Sequence, residues 1–473
     1  MKNPELLLPA GSLEKMRAAY DFGADAVYAG QPRYSLRARN NEFRLEQLAQ
    51  GIAEAHARGK KFFVTSNLYA HNDKVRSYLR DLEPVIALGP DALIMADPGL
   101  IMQVREKWPH VPIHLSVQAN TTNWAAVRFW QSVGVARIIL SRELSLKEVE
   151  QIRQACPDME LEVFVHGALC MAYSGRCLLS GYFNRRDPNQ GTCTNACRWN
   201  YATHEADVDP NTGEALAQGA RLADFSFASE QERAEKAANE AVHDGAMPSA
   251  TGQQRHPKAD KVYLIEEEGR PGQLMPIMED EHGTYIMNSR DLRAIEHVGA
   301  LVRIGVNCLK IEGRTKSFYY AARTAQLYRQ AIDDAYAGRA FNPALNAKLE
   351  GLANRGYTDG FFVRRQIKAQ QNYASGTSNA ATQQFVGEVT AYDAATGLAT
   401  IEAKNHFKSG DSIEIIQPGG NREIILGELY DAKSGEPVPA AKGSGWQVKA
   451  AIGAVDGYTV LAKNLQAITK KPR

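Results

Sequence analysis

The stretch CLKIEGR, residues 308–314, is an apolar run that changes into alternating charges, and a long helical pattern ending at Gly338 follows it. Seven earlier runs of the same kind alternate with amphipathic stretches. A regular alternation of β-like and α-like patterns is typical of a parallel sheet. Eight such units predict a TIM-like (β/α)8 barrel, with a doubly wound open sheet as the alternative. The seven earlier runs are residues 5–11, 26–30, 61–68, 92–97, 113–120, 137–143 and 160–167.

Serines mark the starts of two helical stretches. Ser12 precedes LEKMRAAYDFG and Ser145 precedes LKEVEQIRQAC, and in both stretches the apolar residues recur at helical spacing. A serine side chain can accept a hydrogen bond from the free backbone N–H groups of a first helical turn. We therefore expect both serines to be helix N-caps.

The rest of the chain differs from this alternation. Residues 200–260 are rich in Ala, Glu and Gly, which predicts a variable insertion after strand seven that is partly helical around residues 228–243. From residue 385 apolar and polar residues alternate between Gly and Asp, which predicts a small antiparallel β-barrel. The expected domains are a barrel over 1–345, a helical and linker segment over 346–384 and a C-terminal β-domain over 385–473.

Composition limits the class of protein. The 473 residues include 55 basic and 54 acidic side chains, so any nucleic-acid partner must be bound by a local patch. The first apolar run has four residues, too few for a signal peptide, and no stretch approaches the roughly 20 apolar residues of a membrane span. We expect a cytoplasmic protein without a membrane partner. In that reducing compartment, clustered cysteines are typical of metal or redox sites.

Four of the six cysteines lie between residues 168 and 199, directly after the seventh run. Their spacing is C-x6-C-x15-C-x3-C, whereas zinc sites usually combine two tight pairs. An iron–sulfur cluster tolerates irregular spacing, so a cluster, structural zinc and unligated or redox thiols all remain open. The two remaining cysteines, Cys156 and Cys308, are expected to be small apolar fillers. The four clustered residues are Cys170, Cys177, Cys193 and Cys197.

Polar residues end several of the runs, and in a barrel they would converge on the C-terminal rim, where barrel enzymes carry their chemistry. Lys310, Glu312 and Arg314 alternate, which predicts that they share one side of the strand and bind an anion, unless they form a mutual ion network. His166 is a candidate general acid or base, or a hydrogen-bonding residue behind the site. The other expected rim residues are Asn67, Asp97, Gln118, Asn120, Ser141, Arg142 and Glu143.

Two groups of arginines are candidate RNA or anion contacts, although solvated loops are the alternative. The first group lies in the loop after strand two and the second among the clustered cysteines. Metalloprotease and serine-hydrolase signatures such as HExxH and GxSxG are absent from the sequence, so peptidase chemistry has no visible nucleophile. The arginines are Arg33, Arg37, Arg39, Arg176, Arg185 and Arg186.

Several stretches together resemble one family. They are PELLLPAGSLEKMRAAYDFGADAVYAG near the N-terminus, HLSVQAN, ILSREL, EVFVHGALCMAYSGRCLLSGYFNRRDPNQGTCTNACRW over 162–199 and LKIEGRTKSFYYAARTAQLYRQAID. The chain is similar to the collagenase-like peptidase family of unassigned catalytic type. YAGQPRYSLRARNNEF and DPNQGTCTNACRW favour a subgroup that takes part in tRNA hydroxylation.

The resemblance implies an enzyme that makes 5-hydroxyuridine at the wobble position of tRNA without molecular oxygen, with prephenate as co-substrate or ligand. It also implies a 4Fe–4S cluster, which makes the iron–sulfur assembly machinery a partner. Carried over by position, the cluster ligands are Cys170, Cys177 and Cys193, and Cys197 is the nearby candidate for the fourth. The rival functions are a collagenase-like peptidase and a non-catalytic RNA-binding scaffold with a structural metal.

Overall fold

Eight parallel strands close into a barrel because the last strand pairs with both the first and the seventh. The computed structural model describes residues 3–30, 34–35, 43–168, 290–314, 316–354, 356–363 and 382–465, and the backbone of short strands between 172 and 286. The barrel strands are β1 Glu5–Pro9, β2 Ala26–Gly30, β3 Lys61–Ser66, β4 Ala92–Met95, β5 Ile113–Leu115, β6 Arg137–Ile139, β7 Glu160–Gly167 and β8 Cys308–Ile311.

Strand β8 lies parallel to β1 on one side and to β7 on the other, with Cys308 opposite both Glu5 and Glu162. This closure confirms the predicted TIM-like barrel and excludes the doubly wound open sheet. Each strand begins at the first residue of its predicted run. Most of the runs extend beyond the strand end, because their last residues belong to the rim loops.

Helices connect the barrel strands and cover their outer surface. Ser12 Oγ accepts a hydrogen bond from the Lys15 amide, and Ser145 and Glu148 form a reciprocal capping box, so both predicted N-caps are confirmed. Within the described residues, no helix is both long and apolar enough to cross a membrane. The helices are α1 Leu13–Asp21, α2 Leu45–Ala57, α3 Asn72–Ala87, α4 Pro98–Lys107, α5 Trp124–Ser132, α6 Leu146–Ala155, α7 Val298–Ile304, α8 Phe318–Tyr336 and α9 Ala344–Glu350, with 3-10 turns at Val117–Ala119 and Ile295–His297.

The chain leaves the barrel after β7 and returns through Asp291–Arg293, which pairs antiparallel with β7 and parallel with Tyr357–Thr358. Between these points the backbone forms an antiparallel sheet, part of which lies inside the insertion that the sequence predicted to be partly helical. The predicted helix around 228–243 lies outside the described residues. The sheet strands are Leu222–Ala223, Tyr201–Glu205, Val262–Glu267, Leu274–Asp280 and Gly283–Ile286, and two further pairs are Asp207–Val208 with Ala215–Leu216 and Ala172–Tyr173 with Arg176–Cys177.

The C-terminal residues form an antiparallel half-barrel with a hydrophobic core of its own, which includes Val386, Ile401, Phe407, Val448 and Leu461. Alternating burial along Leu398–Ala403 and Gln447–Ala451 matches the apolar–polar alternation that predicted a β-domain here. The strands are Gln383–Asp393, Leu398–Ala403, Phe407–Lys408, Ser412–Ile416, Arg422–Ile425, Leu429–Asp431, Pro437–Val438, Ala440–Ala441, Gln447–Ala451 and Val460–Asn464.

Helix α8 packs between the barrel and this half-barrel. On the half-barrel side, the fully buried Arg323 donates two hydrogen bonds of 3.1 and 2.7 Å to the Glu414 carboxylate. Tyr319 stacks on Phe385 with ring centroids 5.0 Å apart. Burial alone would raise the pKa of Glu414, but Arg323 and a hydrogen bond from Gln383 lower it below its usual value. The interface therefore contains a charge pair whose members depend on each other.

We predict that Arg323→Ala destabilises the protein by about 3–5 kcal/mol, because it leaves Glu414 buried without its counter-ion. Denaturant unfolding followed by tryptophan fluorescence measures the change. The matched control is Arg339→Ala, just beyond α8, where a 60% exposed arginine pairs with Asp334, and its effect should stay within about 1 kcal/mol. Equal effects of the two substitutions would contradict the prediction.

Candidate functional site

The barrel interior contains a buried ion network instead of a purely aliphatic core. Lys310 Nζ lies 2.7 Å from Glu162 Oε1, and Arg137 Nη1 lies 3.3 Å from Glu162 Oε2 and 2.7 Å from Glu5 Oε1. Glu162 is fully buried, so it must be paired to remain charged. His114 lies nearby, where burial lowers its pKa well below the usual value, helped by Arg137 and Lys310. The network therefore places the buried carboxylate of Glu162 between Lys310 and Arg137, and Arg137 also contacts Glu5 and the more exposed Glu160.

Two aromatic rings border this network on the side of the rim. The Tyr28 ring centroid is 4.3 Å from Lys310 Nζ and 5.9 Å from Arg314 Cζ. The Phe164 ring centroid is 5.4 Å from Lys310 Nζ and 3.9 Å from Arg142 Cζ. Cations are favoured over ring faces at such distances. The rings thus separate Lys310 from two arginines at the C-terminal rim.

Hydrogen bonds hold these two arginines in fixed orientations. Arg314 Nη1 donates to Ser35 Oγ at 2.9 Å and to Thr65 Oγ1 at 3.2 Å. Arg142 donates to the Ala168 carbonyl at 2.7 Å and forms an ion pair with Glu312. Both guanidinium groups therefore belong to one polar surface at the ends of β2, β3, β6, β7 and β8.

Glycine permits the close approach of β7 and β8 at this surface. Gly167 has a φ of 106°, and a Cβ atom there would lie 2.5 Å from the Glu312 carbonyl oxygen. Any other residue would meet both a strained backbone and a steric clash at this position. Gly167 therefore allows Glu312 to reach Arg142.

The structure separates the three predicted anion-binding residues. Lys310 is buried against Glu162, Glu312 pairs with Arg142, and Arg314 is bound to hydroxyl groups. Each of the three has a partner elsewhere in the barrel, so they do not form the mutual ion network that was the alternative to anion binding. Glu312 and Arg314 lie at the rim, whereas Lys310 lies beneath the aromatic rings.

Other expected rim residues form short hydrogen-bonded groups. Asn67 Nδ2 lies 3.4 Å from Ser116 Oγ, and Ser141 Oγ lies 3.2 Å from Asn120 Oδ1. Ser141 also hydrogen-bonds Glu143, and Ser116 hydrogen-bonds Gln118.

Asp97, also expected at the rim, instead caps helix α4 through the amides of Gly99 and Leu100. Asp97 therefore has a clear structural role.

His166 is the penultimate residue of β7, and its ring does not face the barrel interior. Its ring packs against Tyr320, Tyr328 and Tyr357 with centroids 5.8, 5.4 and 5.4 Å away, and Tyr328 Oη lies 3.3 Å from His166 Nδ1. Strict alternation from Phe164 would turn His166 inward, but β7 contains an irregularity there that shifts its register against β8. The ring therefore lies among tyrosines, which fits a hydrogen-bonding residue behind the site, and its role as a general acid or base stays a prediction.

Burial lowers the pKa of His166 to about 3, and the positive charge of Arg293 adds to this effect. We predict that the ring stays neutral between pH 5 and 8. Its ring ¹⁵N chemical shifts, measured by NMR on labelled protein, should not change over that range, with free imidazole in the tube as the reference. A midpoint near pH 6.5 would contradict this environment.

The remaining predicted site residues lie outside the described residues. They include all side chains of the clustered cysteines and of the six candidate RNA-contacting arginines. Arg176 and Cys177 form a short strand paired with Ala172–Tyr173, but only their backbone is described. Cys156 and Cys308, in contrast, are buried free thiols, as predicted.

Sequence reasoning missed Glu162, Arg137, Ser35 and Thr65. The signal for Glu162 was available, because it alternates with Glu160 and Phe164 in a strand of otherwise apolar residues. Its partner Arg137 begins β6, and its charge is the one polar feature at the start of that apolar run. Ser35 and Thr65 have no such signal, since short hydroxyl side chains are common in loops and strands.

We predict that Glu162→Gln destabilises the barrel by about 3–5 kcal/mol, because Lys310 is then buried without its counter-ion. Glu160→Gln is the matched control, since Glu160 contacts the same Arg137 but is 41% exposed, and it should change stability by less than about 1 kcal/mol. Urea unfolding measures both effects. The double variant Glu162→Gln, Lys310→Met should recover part of the loss, and a strictly additive result would argue against the pair.

The fold and this surface define a βα-barrel protein with its polar site at the C-terminal ends of the strands, where barrel enzymes bind their substrates. Residues 11–372 match the model of peptidase family U32, and residues 381–461 match that of the peptidase family U32 C-terminal domain. The chain belongs to peptidase family U32.

Three relatives connect this family with RNA. The chain is 56% identical to the tRNA hydroxylation protein P of Escherichia coli, covering 95% of this chain and 93% of that protein. It is 53% identical to the protein of the same name from Haemophilus influenzae, covering 93% and 92%. The 23S rRNA 5-hydroxycytidine C2501 synthase of Escherichia coli is 27% identical, over 88% of this chain and 51% of that protein.

Proposed function

We propose that this chain is an RNA-hydroxylating enzyme that acts on C5 of the wobble uridine of tRNA. The observation that carries the proposal is the 56% identity to a tRNA hydroxylation protein across 95% of the chain. The rRNA 5-hydroxycytidine synthase among the relatives supports hydroxylation of a pyrimidine as the shared chemistry. The proposed reaction depends on prephenate and does not use molecular oxygen.

The rim arginines suit a substrate that carries carboxylate or phosphate groups. Guanidinium groups bind such anions through two parallel hydrogen bonds. Hydrogen bonds to Ser35 and Thr65 orient Arg314, and Glu312 together with the Ala168 carbonyl orients Arg142. We assign anion binding to Arg314, with Arg142 and Glu312 beside it. We assign Lys310 a structural role, in which it contacts the Tyr28 and Phe164 rings that lie beneath this surface.

The proposed iron–sulfur cluster would be held by Cys170, Cys177, Cys193 and Cys197, since four thiolates form a donor set that such clusters use. When bound, a cluster supplies electron transfer. Arg142 binds the carbonyl of Ala168, two residues before Cys170. The Arg142–Glu312 pair therefore orients the chain at the start of the cysteine segment.

Contacts to tRNA are assigned to the arginines on either side of the proposed site. Arg33, Arg37 and Arg39 follow β2, and Arg176, Arg185 and Arg186 lie among the cysteines. Phosphate contacts of this kind strengthen binding without reading sequence, and they weaken as salt rises. The overall charge is near neutral, so these local groups would carry the electrostatic attraction.

The proposal predicts that tRNA from a deletion strain lacks nucleosides derived from 5-hydroxyuridine, and that the wild-type gene restores them. Cys170→Ser should abolish the modification, and Arg314→Lys should lower it by on the order of tenfold, because lysine cannot form the same paired hydrogen bonds. The matched control is Cys156→Ser, which alters a buried free thiol away from the cluster. Mass spectrometry of digested tRNA measures all five strains, the deletion strain and its four complemented derivatives.

Two further measurements separate the proposal from its rivals. Iron, sulfide and EPR analysis of anaerobically purified protein should detect a cluster in the wild type and lose it in Cys170→Ser. If the deletion strain keeps its normal level of nucleosides derived from 5-hydroxyuridine and has no second pathway, the proposal is wrong. Cleavage of unfolded or collagen-like substrates that survives Cys170→Ser would favour the peptidase activity that the family name suggests.

A further inference from the structure

A histidine and two carboxylates meet where the turn 295–297 lies close to the segment 356–363. His297 ends the 3-10 turn before α7, Glu296 precedes it in the chain, and Asp359 belongs to the segment after α9. One ligand atom from each of the three residues lies within 4.8 Å of the other two. Two separate parts of the chain therefore bring metal-binding side chains together.

The distances within this group are longer than hydrogen bonds. His297 Nε2 is 3.6 Å from Glu296 Oε1 and 3.6 Å from Asp359 Oδ2. Hydrogen bonds from nitrogen to oxygen span about 2.7–3.2 Å. Among the described residues, no hydrogen-bond partner satisfies this buried nitrogen atom. Both carboxylates lie within ion-pair distance of the ring, but neither accepts a hydrogen bond from Nε2.

The same distances fit ligands of one metal ion. Zinc binds histidine nitrogen at about 2.0–2.1 Å and carboxylate oxygen at about 2.0–2.2 Å. Two atoms at those distances from a common ion are about 3.4–3.6 Å apart when they subtend roughly 110–120° at the ion. Imidazole and carboxylate ligands suit ions of the zinc class.

The surrounding backbone holds the ligands in position. Ala294 N donates to the Val165 carbonyl of β7, and His297 N donates to the Ala294 carbonyl. On the other segment, Phe362 N donates to the Asp359 carbonyl and Leu146 N of α6 donates to the Phe362 carbonyl. His297 and Asp359 are only 15% and 12% exposed, whereas Glu296 is 48% exposed. The site therefore has two anchored ligands and one at the surface.

We propose that Glu296, His297 and Asp359 bind a divalent cation of the zinc class through nitrogen and oxygen. The cation ties the segment 356–363 to the turn 295–297 and so strengthens the pairing of Asp291–Arg293 with Tyr357–Thr358. It is separate from the proposed cysteine cluster in both ligand chemistry and place in the chain. Its role is structural, because it fastens the chain beyond α9 to the barrel wall.

Cobalt(II) titration of the full-length protein tests this site, because thiolate ligands produce intense charge-transfer absorption and nitrogen–oxygen ligands give only weak visible bands. Wild-type protein should show the weak bands and a rise in Tm with zinc. His297→Gln and Asp359→Asn should each weaken cobalt binding by at least about tenfold and remove the zinc-dependent rise in Tm.

The matched control is His56→Gln. His56 Nε2 lies 3.1 Å from Asp91 Oδ2, an ordinary hydrogen-bonding distance, so this variant should bind cobalt as the wild type does. Circular dichroism checks the fold of each variant, and Asp359→Asn preserves side-chain size. The proposal is overturned if cobalt does not bind, if only thiolate bands appear, or if the weak bands persist in both site variants.

Discussion

The buried carboxylate of Glu162 joins the strands at the place where the barrel closes. Lys310 on β8 and Arg137 on β6 both contact it, and Arg137 continues to Glu5 on β1. The chain leaves the barrel between β7 and β8 for more than a hundred residues. No short loop therefore holds these two strands together at the seam, the place where β8 pairs with β7 and β1. Charged groups in a low-dielectric interior interact strongly and demand correct partners, which favours a single register of β8 between β7 and β1.

The candidate site depends on the same seam. Phe164 and Tyr28 lie between the interior ion network and the rim arginines. The strand register that brings the Lys310 side chain to Glu162 therefore also fixes how far Glu312 and Arg314 extend toward the rim. Gly167 then lets the two strands approach closely enough for Glu312 to meet Arg142. Outside the barrel, α8 connects the barrel to the half-barrel through the ion pair between Arg323 and Glu414.

Much of the fold was predictable because it rests on local periodicity. All eight barrel strands begin at the first residue of a predicted run, and Ser12 and Ser145 cap helices as expected. The site was predictable only in part. Alternation along residues 308–314 identified Lys310, Glu312 and Arg314, but their partners lie in β3, in β7 and in the loops after β2 and β6. His166 was identified only as a polar residue near the end of β7, and its tyrosine neighbours come from α8 and from Tyr357, far away in the chain.

The sequence by itself determined the βα alternation, the place of the rim along each strand and the family, because these depend on residue order and side-chain periodicity. Only the tertiary structure decided which charges meet. Lys310 became part of a buried pair, Arg314 a rim residue and His166 a neutral ring among tyrosines, because burial and partner choice depend on residues far away in the chain. The proximity of His297 and Asp359 also depends on tertiary structure. Their two segments meet because Asp291–Arg293 pairs with β7 on one side and with Tyr357–Thr358 on the other.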